Sequence, residues 1–140
     1  NILNQFDEMA DMLAKKMINE KIDSIKKITL LFENMFDSFV ETPPFVSVIF
    51  SEEIFKNENV LKTKIIEIQN INQNTLEKII AEGQKNNEIR NDINKKSLSY
   101  VIMGSLRLIV KKWDLNNYNF DLKAEGKILL NALKKMLVNN

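Results

Sequence analysis

Residues that break helices are almost missing from this chain. Its two prolines are adjacent, Pro43-Pro44, and its three glycines fall at 83, 104 and 126. With so little punctuation, the 140 residues divide into a few long segments, each to be read from its apolar period. Phe6, Met9, Leu13 and Met17, at steps of three and four, predict a first helix from about Ile2 to Ile18. Ile25, Ile28, Phe32, Met35, Phe36 and Phe39 give a second, from about Asp23 to Val40, a broad apolar face. Thr42-Pro43-Pro44 stops the chain and restarts it: the second ring pushes Pro43 out of the helical region, while Pro44 suits a first helical turn.

The run Phe45-Val46-Ser47-Val48-Ile49-Phe50 has the β-branched and aromatic content of a strand, yet no second strand-like run exists to pair with it. It reads as a short helix, Pro44 to about Phe55. A long helix follows from about Asn59 to Lys85, with Leu61, Ile65, Ile68, Asn72, Leu76 and Ile79 on one face. Asn86-Asn87 can leave that helix, because Asn tolerates left-handed backbone. Asp92 is the expected cap of a fifth helix, about Ile93 to Trp113, and Asn116-Asn117 mark the turn after it. Asp121 is the expected cap of a sixth, Leu122 to about Val138. The expected fold is all-α: a single domain over residues 1–140, built as a six-helix bundle.

The last two helices have more apolar surface than a small bundle can cover. Leu98, Ile102, Ser105, Ile109 and Trp113 make one stripe of the fifth, and Tyr100, Met103, Gly104, Arg107 and Val110 the opposite one. In the sixth, Leu122, Gly126, Leu129, Leu133, Met136 and Leu137 form one face, and Ala124, Ile128 and Ala132 another. Helices apolar all round require burial all round. A second copy of the chain supplies it, so both helices are expected to form a four-helix interface with a symmetry mate, with Gly104, Leu108, Ile128 and Ala132 near the twofold axis. Gly104 and Gly126 sit inside helices, where each costs about 1 kcal/mol relative to alanine; close approach of another backbone would explain them, and chance drift is the alternative. Arg107 is costly to bury alone, so it serves either an acidic ligand or a partner across the seam.

Composition removes most enzymatic chemistry. Without Cys or His there is no thiolate or imidazole metal site, no cysteine nucleophile and no Ser-His-Asp triad. The acidic pairs Asp7/Asp11 and Glu52/Glu53 read as surface charge, so no metal, cofactor or catalytic residue is expected. A net charge of +1, with Arg90 and Arg107 the only arginines, argues against a nucleic-acid-binding surface on this chain. No apolar run suits a membrane span or a signal peptide, which makes the expected location cytoplasmic.

Four segments, in order and spacing, resemble the ligand-sensing half of tetracycline-repressor-type (TetR/AcrR) transcriptional regulators. They are Glu82-Gly83-Gln84-Lys85, Glu88-Ile89-Arg90-Asn91-Asp92-Ile93, the run Ile102 to Trp113, and Phe120-Asp121-Leu122. The resemblance spans roughly Glu82 to Leu137 and departs mildly at Asn87, where the family usually has glycine. It implies a C-terminal domain that dimerises through its last two helices, Gly104, Arg107, Leu108, Ala124, Ile128 and Ala132 among them, and senses a small molecule. Operator DNA would be bound only through an N-terminal helix-turn-helix domain, for which this chain has no counterpart.

Seven of the eight phenylalanines lie in the first 55 residues, and four of the six methionines accompany them. Most such side chains serve a core, but aromatics and thioethers also line cavities for small molecules. Together with the resemblance, this predicts a mostly apolar or amphipathic effector lined by Phe32, Met35, Phe36, Phe39, Phe50 and Met103, with Gln69 and Asn72 of the long helix orienting a polar group. The alternative is a helical protein-interaction module that dimerises and has no pocket.

Overall fold

A computed structural model describes residues 2–19, 21–44, 46 and 59–138. These contain five helices and no strand: α1 (Ile2–Asn19), α2 (Ser24–Glu41), α3 (Asn59–Lys85), α4 (Lys95–Leu115) and α5 (Leu122–Leu137). They correspond to the first, second, fourth, fifth and sixth helices expected above. Of the short helix expected from Pro44 to Phe55, Pro44 and Val46 are helical, and the remainder lies outside the described residues.

The helix ends show why the boundaries fall where they do. Asp23 caps α2 by accepting from the Lys26 amide at 2.8 Å, and Asp121 caps α5 by accepting from the Ala124 amide at 3.1 Å. Such caps satisfy amides that have no intrahelical partner. The cap of α4 is not Asp92 but Asn94, which accepts from the Ser97 amide at 2.8 Å. Asp92 instead takes both ends of the Arg90 guanidinium at 2.7 Å, and this bond holds its carboxyl below the ordinary range. Arg90 also donates its backbone amide to the Leu137 carbonyl at 2.8 Å, so the loop before α4 closes the C-terminal end of α5. Asn87 and Asn117 leave their helices with φ of 60° and 55°, the left-handed backbone that Asn tolerates.

Helix α3 is the hub, packed against α1, α2 and α4, while α5 lies across α2 and α4. Phe32, Phe36 and Phe39 of α2 meet Ile68, Leu76 and Ile80 of α3, Ile102, Leu106 and Val110 of α4, and Leu122 and Leu130 of α5 in one buried core. Trp113 closes its far end, its indole N–H donating to the Phe120 carbonyl at 3.1 Å and its ring packed against Tyr118 at a tilt of 51°, centroids 4.6 Å apart. At the opposite end, the Glu88 carboxylate accepts from the Ser24 amide at 2.7 Å, and the buried Lys27 ammonium lies 3.6 Å from Glu82. These bonds fasten the start of α2 to the end of α3.

Gly126 does admit a close approach, but of a ring rather than a backbone: a Cβ there would strike the face of Phe36. Gly126→Ala should therefore destabilise the domain despite the better helix propensity of alanine. An overpacking penalty of about 1–3 kcal/mol exceeds the gain of about 1 kcal/mol, and a urea midpoint measurement reads the sign.

Each of the last two helices buries one face within a single chain. Within one chain α4 buries a single stripe, Leu98, Ser99, Ile102, Leu106, Val110 and Trp113, and leaves Tyr100, Val101 and Leu108 more than half exposed. Val110 had been expected on the opposite stripe, and Leu106 had been assigned to neither. In α5 the buried face is Leu122, Gly126, Leu130, Leu133 and Leu137, with Ala124, Ile128 and Ala132 exposed. Met136, expected on the buried face, is 62% exposed. No helix among the described residues is long and apolar enough to cross a membrane.

Candidate functional site

Helix α1 lies along α3 and touches α2 only lightly. Between α1 and α2, beside α3, a cavity of about 370 Å³ remains. Four of its lining residues come from α1, Met9, Met12, Leu13 and Lys16, which fall on one face of that helix at steps of three and four. Asn34, Met35 and Ser38 of α2 form the facing wall, and Asn72 of α3 forms the floor.

The chemistry of this space is that of an amphipathic receptor. Three thioethers and a leucine give adaptable, polarisable walls. Lys16, in the last turn of α1, sets an ammonium at the rim. Ser38 and Asn34 turn part of their polarity inward to their own helix: the Ser38 hydroxyl donates to the Asn34 carbonyl at 3.0 Å, and the Asn34 amide donates to the Leu30 carbonyl at 2.9 Å. Met12, at 71% exposure, marks the open side.

Of the residues expected to touch an effector, the structure brings Met35 and Asn72 to this cavity. Phe32, Phe36 and Phe39 are no more than 2% exposed and interdigitate in the core, with the Phe32 and Phe36 rings 6.5 Å apart. They face away from the cavity because one side of α2 must cover α3, α4 and α5, while the cavity borders an adjoining side. Gln69 is half-buried on α3 and Met103 is packed against the core; neither lines the cavity. Phe50 lies outside the described residues. Leu13, Lys16, Asn34 and Ser38 escaped the sequence reading as a site, and Met9 and Met12 entered it only as members of a methionine-rich region. The signal available for them was a helix face with three thioethers or aliphatics ending in a lysine.

On the outer surface, Gly104 has no atom within 4 Å of where a Cβ would stand, and it lies in the exposed apolar stripe of α4 with Val101 and Leu108. Ile128, flanked by Ala124 and Ala132, continues the apolar surface on α5 and is 65% exposed. Arg107 is half-buried beside that stripe, and burial lowers its pKa from the ordinary guanidinium range.

A bundle of helices that keeps an apolar cavity with a lysine at its rim, and an exposed apolar face elsewhere, has the features of a small-molecule-binding helical domain. Comparison with known proteins gives the lineage. The chain belongs to the TetR_C_4 family, the YsiA-like protein C-terminal region, which matches residues 3–138; it is the C-terminal part of a TetR-type transcriptional regulator. It is 25% identical over 141 residues to the fatty acid metabolism regulator protein of Bacillus subtilis (strain 168), covering 99% of this chain and 70% of that protein. The crystal structure of the transcriptional regulator FadR from Bacillus subtilis in complex with stearoyl-CoA superposes with a TM-score of 0.75 at 25% identity, over 99% of this chain and 73% of that one. FadR from Bacillus halodurans shares the fold with a TM-score of 0.77 at 21% identity, over 94% of this chain and 69% of that one.

Proposed function

We propose that this chain is the effector-sensing and dimerisation domain of its regulator, and that the effector is a long-chain acyl thioester whose chain enters the α1–α2–α3 cavity. The observation that carries the reading is that cavity: its volume of about 370 Å³ suits a small-molecule site, its walls are thioether and aliphatic, and its rim is cationic. An acyl chain matches the walls, and the anionic phosphates of a coenzyme A head match Lys16. The similar FadR of Bacillus subtilis was crystallised with stearoyl-CoA, a molecule of this kind. The interaction-module alternative has no use for such a cavity.

Position supports a sensor as well. An occupant sits between α1 and α2, which touch each other only lightly, so occupancy bears on the tilt of α1. An N-terminal helix-turn-helix domain of the intact regulator would receive that tilt, and operator DNA would be bound there, in the cytoplasm. Coupling of this kind requires the effector to prefer one tilt over the other. Dimerisation uses the exposed apolar face: Gly104, Leu108 and Arg107 of α4 against Ala124, Ile128 and Ala132 of α5 from a second copy. No catalytic step is assigned to the domain.

Titration with stearoyl-CoA, coenzyme A and stearate, followed by thermal melting, tests the effector. Stearoyl-CoA should raise the melting temperature by several degrees, and coenzyme A alone should not. A melting curve unmoved by stearoyl-CoA overturns the acyl thioester.

A further inference from the structure

Three of the chain's six methionines, Met9, Met12 and Met35, line one cavity, and the chain contains no cysteine. Two of the three are open to solvent, Met12 at 71% and Met9 at 41% exposure. Met17, two turns along α1 from Met9, is 1% exposed in the core. The most accessible two-electron reductants of the effector site are thus its own walls. We propose that the cavity mouth is an oxidative modification site: peroxide converts Met12 and Met9, and then Met35, to sulfoxides, and the modified mouth no longer accepts an apolar chain. The inference rests on the sensor reading above and adds a regulation to the same site.

The chemistry balances within the thioether and the oxidant. A sulfur lone pair attacks one oxygen of hydrogen peroxide, the O–O bond breaks, and the departing hydroxide takes up the remaining proton as water. Sulfur is oxidised by two electrons and peroxide oxygen is reduced. The product is polar and chiral where the thioether was apolar and flexible. Its oxygen is a strong acceptor, and the Lys16 ammonium and Asn72 amide at the same cavity are donors suited to it. A mouth so bonded to itself opposes the entry of a hydrocarbon chain, which would have to strip those groups of partners. Reduction of the sulfoxides by methionine sulfoxide reductases restores the thioethers, so the modification is reversible.

The test exposes the domain to hydrogen peroxide, quenches it, maps oxygen uptake by peptide mass spectrometry and titrates stearoyl-CoA before and after. Among the methionines of α1, Met12 should gain oxygen first, Met9 next and Met17 last, and affinity should fall by about tenfold or more, recovering after reductase treatment. The triple variant Met9→Leu, Met12→Leu, Met35→Leu, whatever its own starting affinity for stearoyl-CoA, should show the same affinity before and after peroxide, although the exposed Met136 on α5 is still oxidised. Equal affinity before and after oxidation of Met9 and Met12 overturns the inference and leaves the sensor reading standing. So does a triple variant as sensitive as the wild type, or Met17 oxidising alongside Met12. If the reduced protein binds no stearoyl-CoA, the acyl-thioester reading fails and this inference fails with it.

Discussion

Replacing Ile128 by aspartate should convert the domain from a dimer, of twice 16.3 kDa, to a monomer. Ile128 is 65% exposed in the single chain, so a carboxylate there stays hydrated and the fold is left intact. The face around it is small and apolar, Ala124 and Ala132 one turn to either side, with Gly104 and Leu108 exposed on α4. Association of two such faces about a twofold axis buries each aspartate without a partner, and symmetry brings two of them into one seam. An uncompensated buried charge costs about 3–5 kcal/mol. Two of them weaken the dimer by about four orders of magnitude or more. Light scattering reads the mass, and circular dichroism confirms that the helices persist. Ile128→Leu is the matched control and should remain a dimer. A wild-type chain that scatters as a monomer, or an aspartate variant that stays dimeric at micromolar concentration, would falsify the assignment of this face.

How far the sequence reaches depends on which kind of information a feature needs. Helix boundaries are set by local chemistry, so the cap at Asp121, the start of α2 near Asp23, the left-handed exit at Asn87 and the turn at Asn117 were legible. Asp92 misled because two residues competed for one role: Arg90, two positions away, captured its carboxylate, and the cap passed to Asn94. Apolar periodicity shows that a face is covered but not by what. It placed Phe32, Phe36 and Phe39 on a buried side of α2 without distinguishing a core from a cavity. The cavity is walled by α1, α2 and α3 together, and the space left between helices that touch only lightly is written in none of them alone. Lys27 shows the same limit from the polar side. A lysine on α2 is buried because Glu82 of α3 stands beside it, 55 residues away in sequence. The fully apolar look of the last two helices was legible, and one chain covers half of it.

Filling the cavity should abolish effector binding without touching either the core or the dimer face. Ser38 is the position for it. It lies on the α2 wall, half-buried, and its hydroxyl bonds only its own helix, at the Asn34 carbonyl, so losing it orphans no group on a neighbouring element. Met103, expected from sequence to bound the effector, is packed against the core away from this cavity, and enlarging it would strain α4 instead. Ser38→Trp projects an indole into the space between Met9, Met12, Leu13 and Met35, replacing the contacts that an acyl chain would make there. For the wild type, effector at 100 times its dissociation constant stabilises the fold by about 2.7 kcal/mol, a melting shift of several degrees. In Ser38→Trp that shift should vanish, while the melting temperature without effector holds or rises because the indole occupies the cavity itself. Light scattering should still show the dimer, since α4 and α5 are untouched. A variant that keeps the full effector-induced shift would place the effector outside the α1–α2–α3 wedge, and with it the lever by which occupancy bears on α1.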